Sequence, residues 1–333
     1  MINLEFNGPL FIIGMPRSGT KLLRSLLNRH SRVSIPENET EFLPYLYYLV
    51  NRIGGLNDYG CFIKFYRQIT KVSYFMNQLK NKKIIDPVYW YDSCNKYSSD
   101  ELFKILIYYH LDKHLDEKFI WGDKSPSYIN NITLINQIYP CARFIHIVRD
   151  VRDYCLSGYK TWGKNVYRSA YRWDKSIMKF DEESRPISNR VLEVKYENLI
   201  VNVCAELKKI CSFLDIKYEK GMDSLNSPSE NYGDARGLNF VKKDNKNKFY
   251  SSFSKKKIKR IEEVAFFSMK KRGYKIKYAG TEKKVSRMNL YSYALMDCLN
   301  LIHFYIKDKG LVPFLLSLRS HLLTVFNRKR LSG

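Results

Sequence analysis

The sequence predicts an α/β fold of three layers, a mainly parallel central sheet between helices, and three observations carry that prediction. Short apolar runs recur at residues 9–13, 32–35, 119–121, 143–148 and 190–194, each of strand length. Helical patterns alternate with them, as the crossovers of parallel strands require. The first and fourth runs also empty into turns rich in hydrogen-bond donors, and ligands of open parallel sheets collect beyond the carboxyl ends of strands.

The first run leads into Gly14-Met15-Pro16-Arg17-Ser18-Gly19-Thr20-Lys21. Gly14 and Gly19 let the backbone bend and approach an anion closely, so that N–H groups and the next helix start point at phosphate oxygens. Arg17, Ser18, Thr20 and Lys21 add side-chain donors. The Walker order would place Lys and then Ser or Thr after the second glycine; here Thr20 precedes Lys21, which disfavours an ATPase. The following helix spans 20–28, with Leu22, Leu23, Leu26 and Leu27 on one face and Arg24 and Asn28 on the other.

The second run, 32–35, returns the chain to the same sheet edge and is followed by Glu37, Glu39 and Glu41. That acidic cluster reads either as a source of a general base or as a solvated loop or helix cap. Residues 44–118, rich in Tyr and Phe, form a mostly helical insertion that roofs the cleft. The third run precedes Asp123-Lys124-Ser125-Pro126, a strand-to-helix corner that brings Lys124 to the ligand edge. After the fourth run come Arg149 and, eight residues on, Ser157, a guanidinium fork and a hydroxyl able to converge on a second phosphate. By itself that segment reads better as an exposed helix start with local Arg–Asp pairs. Beside the first loop it reads as the other half of a bisphosphate site. Residues 242–260 then hold nine Lys or Arg against one Asp, with a helix whose apolar positions are Ile258, Ile261, Val264 and Phe267. Phe249 is either a core anchor or a stacking surface for a base.

On these motifs the chain resembles the sulfotransferases that use 3′-phosphoadenosine 5′-phosphosulfate (PAPS), over roughly residues 9–275. The resemblance implies a P-loop-like fold and assigns roles by position. Gly14, Pro16, Arg17, Ser18, Gly19, Thr20 and Lys21 fall on the 5′-phosphosulfate loop, Arg149 and Ser157 on the 3′-phosphate site, and Lys248 on the basic loop over that phosphate. Glu39-Thr40 matches the Glu-Thr pair of the protein-tyrosine branch, which makes Glu39 the candidate base, and Lys124 matches that branch's lysine. Arg17 and Lys124 become the candidate charge stabilisers. Three departures stand out: Lys21 for a second threonine, Val151 for a proline, and Asn198 for an aspartate. No metal is implied, and the six histidines show no zinc-type spacing.

Composition bounds the remainder. The 333 residues suffice for one large catalytic core, 1–278, and a helical C-terminal appendage, 279–333. A net charge of +24 raises a basic nucleotide- or nucleic-acid-binding module as the non-enzymatic alternative, but no zinc finger, RNA-recognition signature or helix-turn-helix spacing supports specific nucleic-acid binding. Seven cysteines without a Cys-x-x-Cys pair, and a start lacking a signal-peptide pattern, favour a reducing cytoplasm. Segments 290–306 and 311–326, with the basic 328–330 end, read as membrane-surface helices at the inner face or as helices packed on the body or on a sister subunit of a homodimer. The expected partner is a hydroxyl-bearing acceptor, with a saccharide preferred for the aromatic-rich insertion and the chemistry usual among similar bacterial proteins. A peptide tyrosine is the enzymatic rival.

Overall fold

The computed structural model describes residues 5–230 and 232–310. Its sheet is parallel throughout, with strands β1 (Leu10–Gly14), β2 (Val33–Ser34), β3 (Ile120–Lys124), β4 (Arg143–Val148) and β5 (Val191–Lys195) in the order β2-β3-β1-β4-β5. Each expected apolar run is a strand. The third extends further than its apolar residues, because Asp123 and Lys124 continue the ladder and Lys124 pairs in register with Ile12. Lys124 is therefore the last strand residue, one step before the corner.

Side chains of β1 alternate between two cores, as a period of two demands. Leu10 and Ile12 join Leu22, Leu23, Leu26 and Leu27 of α1 (Thr20–Leu27) on one face. Phe11 and Ile13 join the other face, where the insertion packs. That insertion consists of α2 (Leu43–Ile53), α3 (Tyr59–Ile69), α4 (Ser73–Lys80), α5 (Pro87–Asp92) and α6 (Ser99–His110). Its centre is the fully buried Trp90, ringed by Phe62, Phe65 and Phe75 at centroid distances of 5.6–6.0 Å. The aromatic richness thus builds a core continuous with the sheet.

The chain continues through α7 (Ile132–Ile138), α8 (Val151–Trp162), α9 (Val166–Glu183), α10 (Tyr196–Val201), α11 (Val203–Phe213), α12 (Phe249–Ser252), α13 (Lys255–Val264), α14 (Phe266–Lys271) and α15 (Arg287–Lys309). One expectation fails between α13 and α14. The helix breaks at Ala265, which leaves the helical region (φ −112°, ψ 24°), so Phe267 loses its phase with Ile258, Ile261 and Val264 and lies exposed. Phe249 is wholly buried, with the Arg152 guanidinium 4.2 Å above its ring, so it is a core anchor and offers no face to a base.

Helix α15 is docked through one buried carboxylate. Asp297 accepts from the Asn165 N–H and from Arg168, both at 2.6 Å, and Asn300 donates to the Gly163 carbonyl at 2.7 Å. Its other side exposes Met288, Tyr291, Leu295 and Leu299. Among the described residues no helix is long and apolar enough to cross a membrane. The expected segment 311–326 and the basic 328–330 end lie outside the described residues.

Candidate active site

The site lies where β1, β3 and β4 end side by side. Between β1 and α1 the chain turns tightly: Ser18 N–H donates to the Met15 carbonyl at 3.1 Å, and Arg17 and Gly19 both have positive φ, 72° and 94°. At Gly19 a side chain has no room, since an added Cβ would stand 2.4 Å from the Tyr196 ring. Gly14 is equally constrained, its would-be Cβ 2.4 Å from the Ile147 carbonyl oxygen. The loop therefore lies flat against β4 and α10. Thr20 opens α1, and Ser18 and Thr20 are both buried; the Ser18 hydroxyl has no hydrogen-bond partner among the described residues.

The two donor-rich segments meet in one cleft, lined by Arg17, Gly19, Arg149, Ser157, Lys160 and Lys248 among others. Arg17 Nε donates to Ser157 Oγ at 3.2 Å, and one arm of Arg149 donates to the Arg17 carbonyl at 3.1 Å. Ser157 therefore couples to Arg17 as well as flanking Arg149. The second arm of Arg149 reaches the Asn245 carbonyl at 3.1 Å, and its guanidinium lies 4.5 Å over the Tyr196 ring. Arg149 is 7 % exposed, and its Nε has no hydrogen-bond partner among the described residues. Buried donors left without acceptors are costly, so a cleft that concentrates them is built for an anion. Lys248 borders the far wall, where Asp153 fixes the chain by accepting from Asn247 N–H (2.5 Å) and Phe249 N–H (3.1 Å). Pro16 shapes the same loop. Lys21, half-buried in the first turn of α1, is not among the residues lining the cleft.

On the β3 side, Glu39 and Lys124 form an ion pair. Three local contacts set its geometry. Asn28 at the end of α1 clamps both backbone groups of Ile35, at 2.7 and 2.9 Å. Thr40 Oγ1 donates to Asp123 Oδ2 at 2.9 Å, and Glu41 N–H donates to Ser125 Oγ at 3.1 Å. Glu39 is thereby held between β3 and α1, half-buried, whereas Glu37 and Glu41 are exposed. Lys124 is 0 % exposed; burial holds its pKa below the usual lysine range, with Glu39 pulling it back up. Asp123 beneath it is pushed up to about 6 by burial, against hydrogen bonds from Ser125 and Thr40 and the charge of Lys124.

Helical phase sets Arg24 opposite the leucines without saying what covers it. In the structure it is 8 % exposed, bonds only Ser25 Oγ (3.1 Å) among the described residues, and leaves its Nε without a partner. Burial lowers its pKa, while Glu37, Glu39 and Glu230 act to raise it. The polar face of α1 thus turns toward the base loop, and only non-local contacts reveal this. Glu230, Tyr232 and Asp234, in a loop with no periodic signal, also border the cleft and were invisible to sequence reasoning. Among the described residues no group of three or more His, Cys, Asp or Glu is placed to hold a metal ion.

Comparison with known proteins gives the family and the fold. A family model described as the sulfotransferase family matches residues 9–220. A putative protein-tyrosine sulfotransferase of Caenorhabditis briggsae is 22 % identical over 280 residues, covering 79 % of this chain and 88 % of the relative. Protein-tyrosine sulfotransferase A of Caenorhabditis elegans is 24 % identical over 221 residues, covering 63 % of this chain; the chain spans half the length of that relative. Among solved structures, the sulfotransferase domain of the Synechococcus PCC 7002 olefin synthase superposes with a TM-score of 0.55 at 19 % identity, covering 83 % of this chain and 98 % of the domain, a likeness of fold.

Proposed function

The chain belongs to the sulfotransferase family, and from that premise we propose that it transfers a sulfuryl group from PAPS to an acceptor hydroxyl, releasing 3′,5′-ADP. The observation that carries this reading is the single cleft shared by the Gly14–Thr20 loop and the Arg149–Ser157 segment, joined by Arg149 to the Arg17 carbonyl and by Arg17 to Ser157. Two anion sites in one cleft fit a nucleotide phosphorylated at both ends. The under-bonded Ser18 hydroxyl and Arg149 Nε supply donors that such a ligand completes.

When bound, the donor supplies an activated sulfuryl group on a phosphate leaving group. The residues of the chain do the rest. Loop N–H groups with Ser18 and Thr20 bind the 5′ end, and Arg149, Ser157 and Lys248 bind the 3′ end. Glu39 takes the acceptor hydroxyl's proton as the new oxygen–sulfur bond forms. Lys124 and Arg17 stabilise the negative charge that the departing phosphate oxygen gains as the old bond breaks. The roof helices exclude water and shape the acceptor entrance.

For the acceptor, a phenolic hydroxyl of tyrosine comes first, since the named relatives are protein-tyrosine sulfotransferases and Glu39-Thr40 with Lys124 matches that branch. A saccharide is the second reading. It draws on a polar recess lined by Glu37 and Asn38, exposed side chains able to hydrogen-bond sugar hydroxyls.

The test is nucleotide-dependent stabilisation followed by turnover. 3′,5′-ADP should raise the melting temperature where ATP does not, and labelled sulfate should move from PAPS to tyrosyl peptides in preference to saccharides. Glu39→Gln should keep 3′,5′-ADP affinity and lose about 10²–10⁴-fold in kcat. Undiminished turnover in that variant removes Glu39 from the mechanism.

A further inference from the structure

Residues 230 and 232–237 place a carboxylate on each of two cations of the donor cleft. Glu230 pairs with Arg17 at 3.2 Å, and the same guanidinium donates to the Tyr232 carbonyl at 2.7 Å. Asp234 pairs with Lys248 at 2.7 Å. The loop is seated firmly at the first contact: a Cβ added to Gly233 would lie 2.7 Å from an arm of Arg17, and Gly237 N–H donates to the Glu230 carbonyl at 3.2 Å. Arg149 differs, since among the described residues its hydrogen bonds go to carbonyl oxygens. Among the described residues Arg149 thus makes no ion pair, while Arg17 and Lys248 carry acidic counterparts from one loop.

Resting on the donor reading above, we propose that Glu230 and Asp234 are release residues of the sulfuryl-transfer cycle. They hold Arg17 and Lys248 when the nucleotide does not, and compete with its phosphates so that 3′,5′-ADP departs. A carboxylate and a phosphate are both oxyanions and draw on the same donors. Nucleotide entry must break two ion pairs to form two phosphate contacts, so the net gain is small at both ends. Departure is the reverse exchange, in which each exposed cation finds its partner within the same loop. The cost in affinity falls equally on donor and product, and product release, which limits many transferases, is faster for it. Asp234 acts at the 3′ end through Lys248, so its effect is confined to ligands that bear a 3′-phosphate.

The experiment titrates the full chain with 3′,5′-ADP and with 5′-AMP, and measures dissociation by stopped flow, for the wild type, Glu230→Gln and Asp234→Asn. Each variant should bind 3′,5′-ADP about three- to tenfold more tightly, mostly through slower dissociation, as loss of one partly exposed competing ion pair implies. Asp234→Asn should leave 5′-AMP affinity unchanged, a distinction that general loosening of the loop would not produce. Unchanged or weaker 3′,5′-ADP binding in both variants overturns the exchange while leaving the donor assignment intact. A wild type that binds no 3′,5′-ADP overturns both.

Discussion

Lys124→Met isolates the role of the buried ammonium. Lys124 has no exposed surface, and its ion-pair partner Glu39 retains 31 % side-chain exposure, so removing the ammonium leaves a carboxylate that water can still reach. Methionine fills similar volume without the desolvation cost of a charge. Removing one member of a buried ion pair costs about 3–5 kcal/mol when the stranded partner is also buried, and the partial exposure of Glu39 keeps the loss below that range. Nucleotide affinity should change little, since Lys124 has no exposed surface and its charge is already paired with Glu39 before the nucleotide binds. Catalysis should: a preorganised cation facing the leaving oxygen is worth about 10²–10³ in kcat, or about 3–4 kcal/mol of barrier. Chemical unfolding, 3′,5′-ADP titration and initial rates of labelled-sulfate transfer read the three quantities separately. A variant that folds, binds 3′,5′-ADP normally and turns over within fivefold of wild type would refute the charge-stabilising role. One whose loss lies wholly in nucleotide affinity would move Lys124 from the transition state to ground-state binding.

Two further outcomes follow from the same geometry. Gly19→Ala forces a side chain into left-handed backbone and drives its methyl into Tyr196, whose hydroxyl accepts from Asn245 at 2.8 Å and whose ring supports Arg149. It should destabilise by about 2–4 kcal/mol and weaken 3′,5′-ADP binding, and a wild-type unfolding midpoint with wild-type affinity would contradict the packing described. Asp123 titrates near 6 when folded and near its ordinary value of 3.8 when unfolded, so between these pH values the folded state holds a proton that the unfolded state releases. Its contribution to stability is therefore greatest at low pH and falls as pH rises through 6. Asp123→Asn should flatten that slope by up to about 3 kcal/mol, measured as the wild-type minus variant difference in urea unfolding from pH 4 to pH 7. Parallel curves would show that Asp123 is not the group responsible.

What could be read in advance was local. The loop after β1 and the segment after β4 announce themselves because glycines, donors and a change from strand to helix period all fall within a few residues. Glu39 could be singled out from Glu37 and Glu41 only by resemblance, since its position depends on Asn28, Thr40 and Lys124, contacts made across the sheet edge. Arg24 escaped for the same reason: helical phase says which residues share a face, and the tertiary neighbours decide whether that face meets water. Phe267 shows the converse, a regular pattern carried past a break that one non-helical residue, Ala265, introduces. Lys124 was placed at a corner because it lies between the apolar 119–121 run and Ser125-Pro126, yet here the ladder persists to the cation. The Glu230–Asp234 loop has neither period nor motif, and only its partners Arg17 and Lys248 give it meaning.

Helix α15 touches that loop directly, with the Phe304 ring 5.9 Å from the Tyr232 ring, while Asp297 anchors the helix at the start of α9. A stretch of chain beyond the family-matching residues thus braces a segment that borders the cleft. Removing α15 alone would strip that brace away, and a shortened enzyme should display altered turnover even though every residue lining the cleft survives the cut.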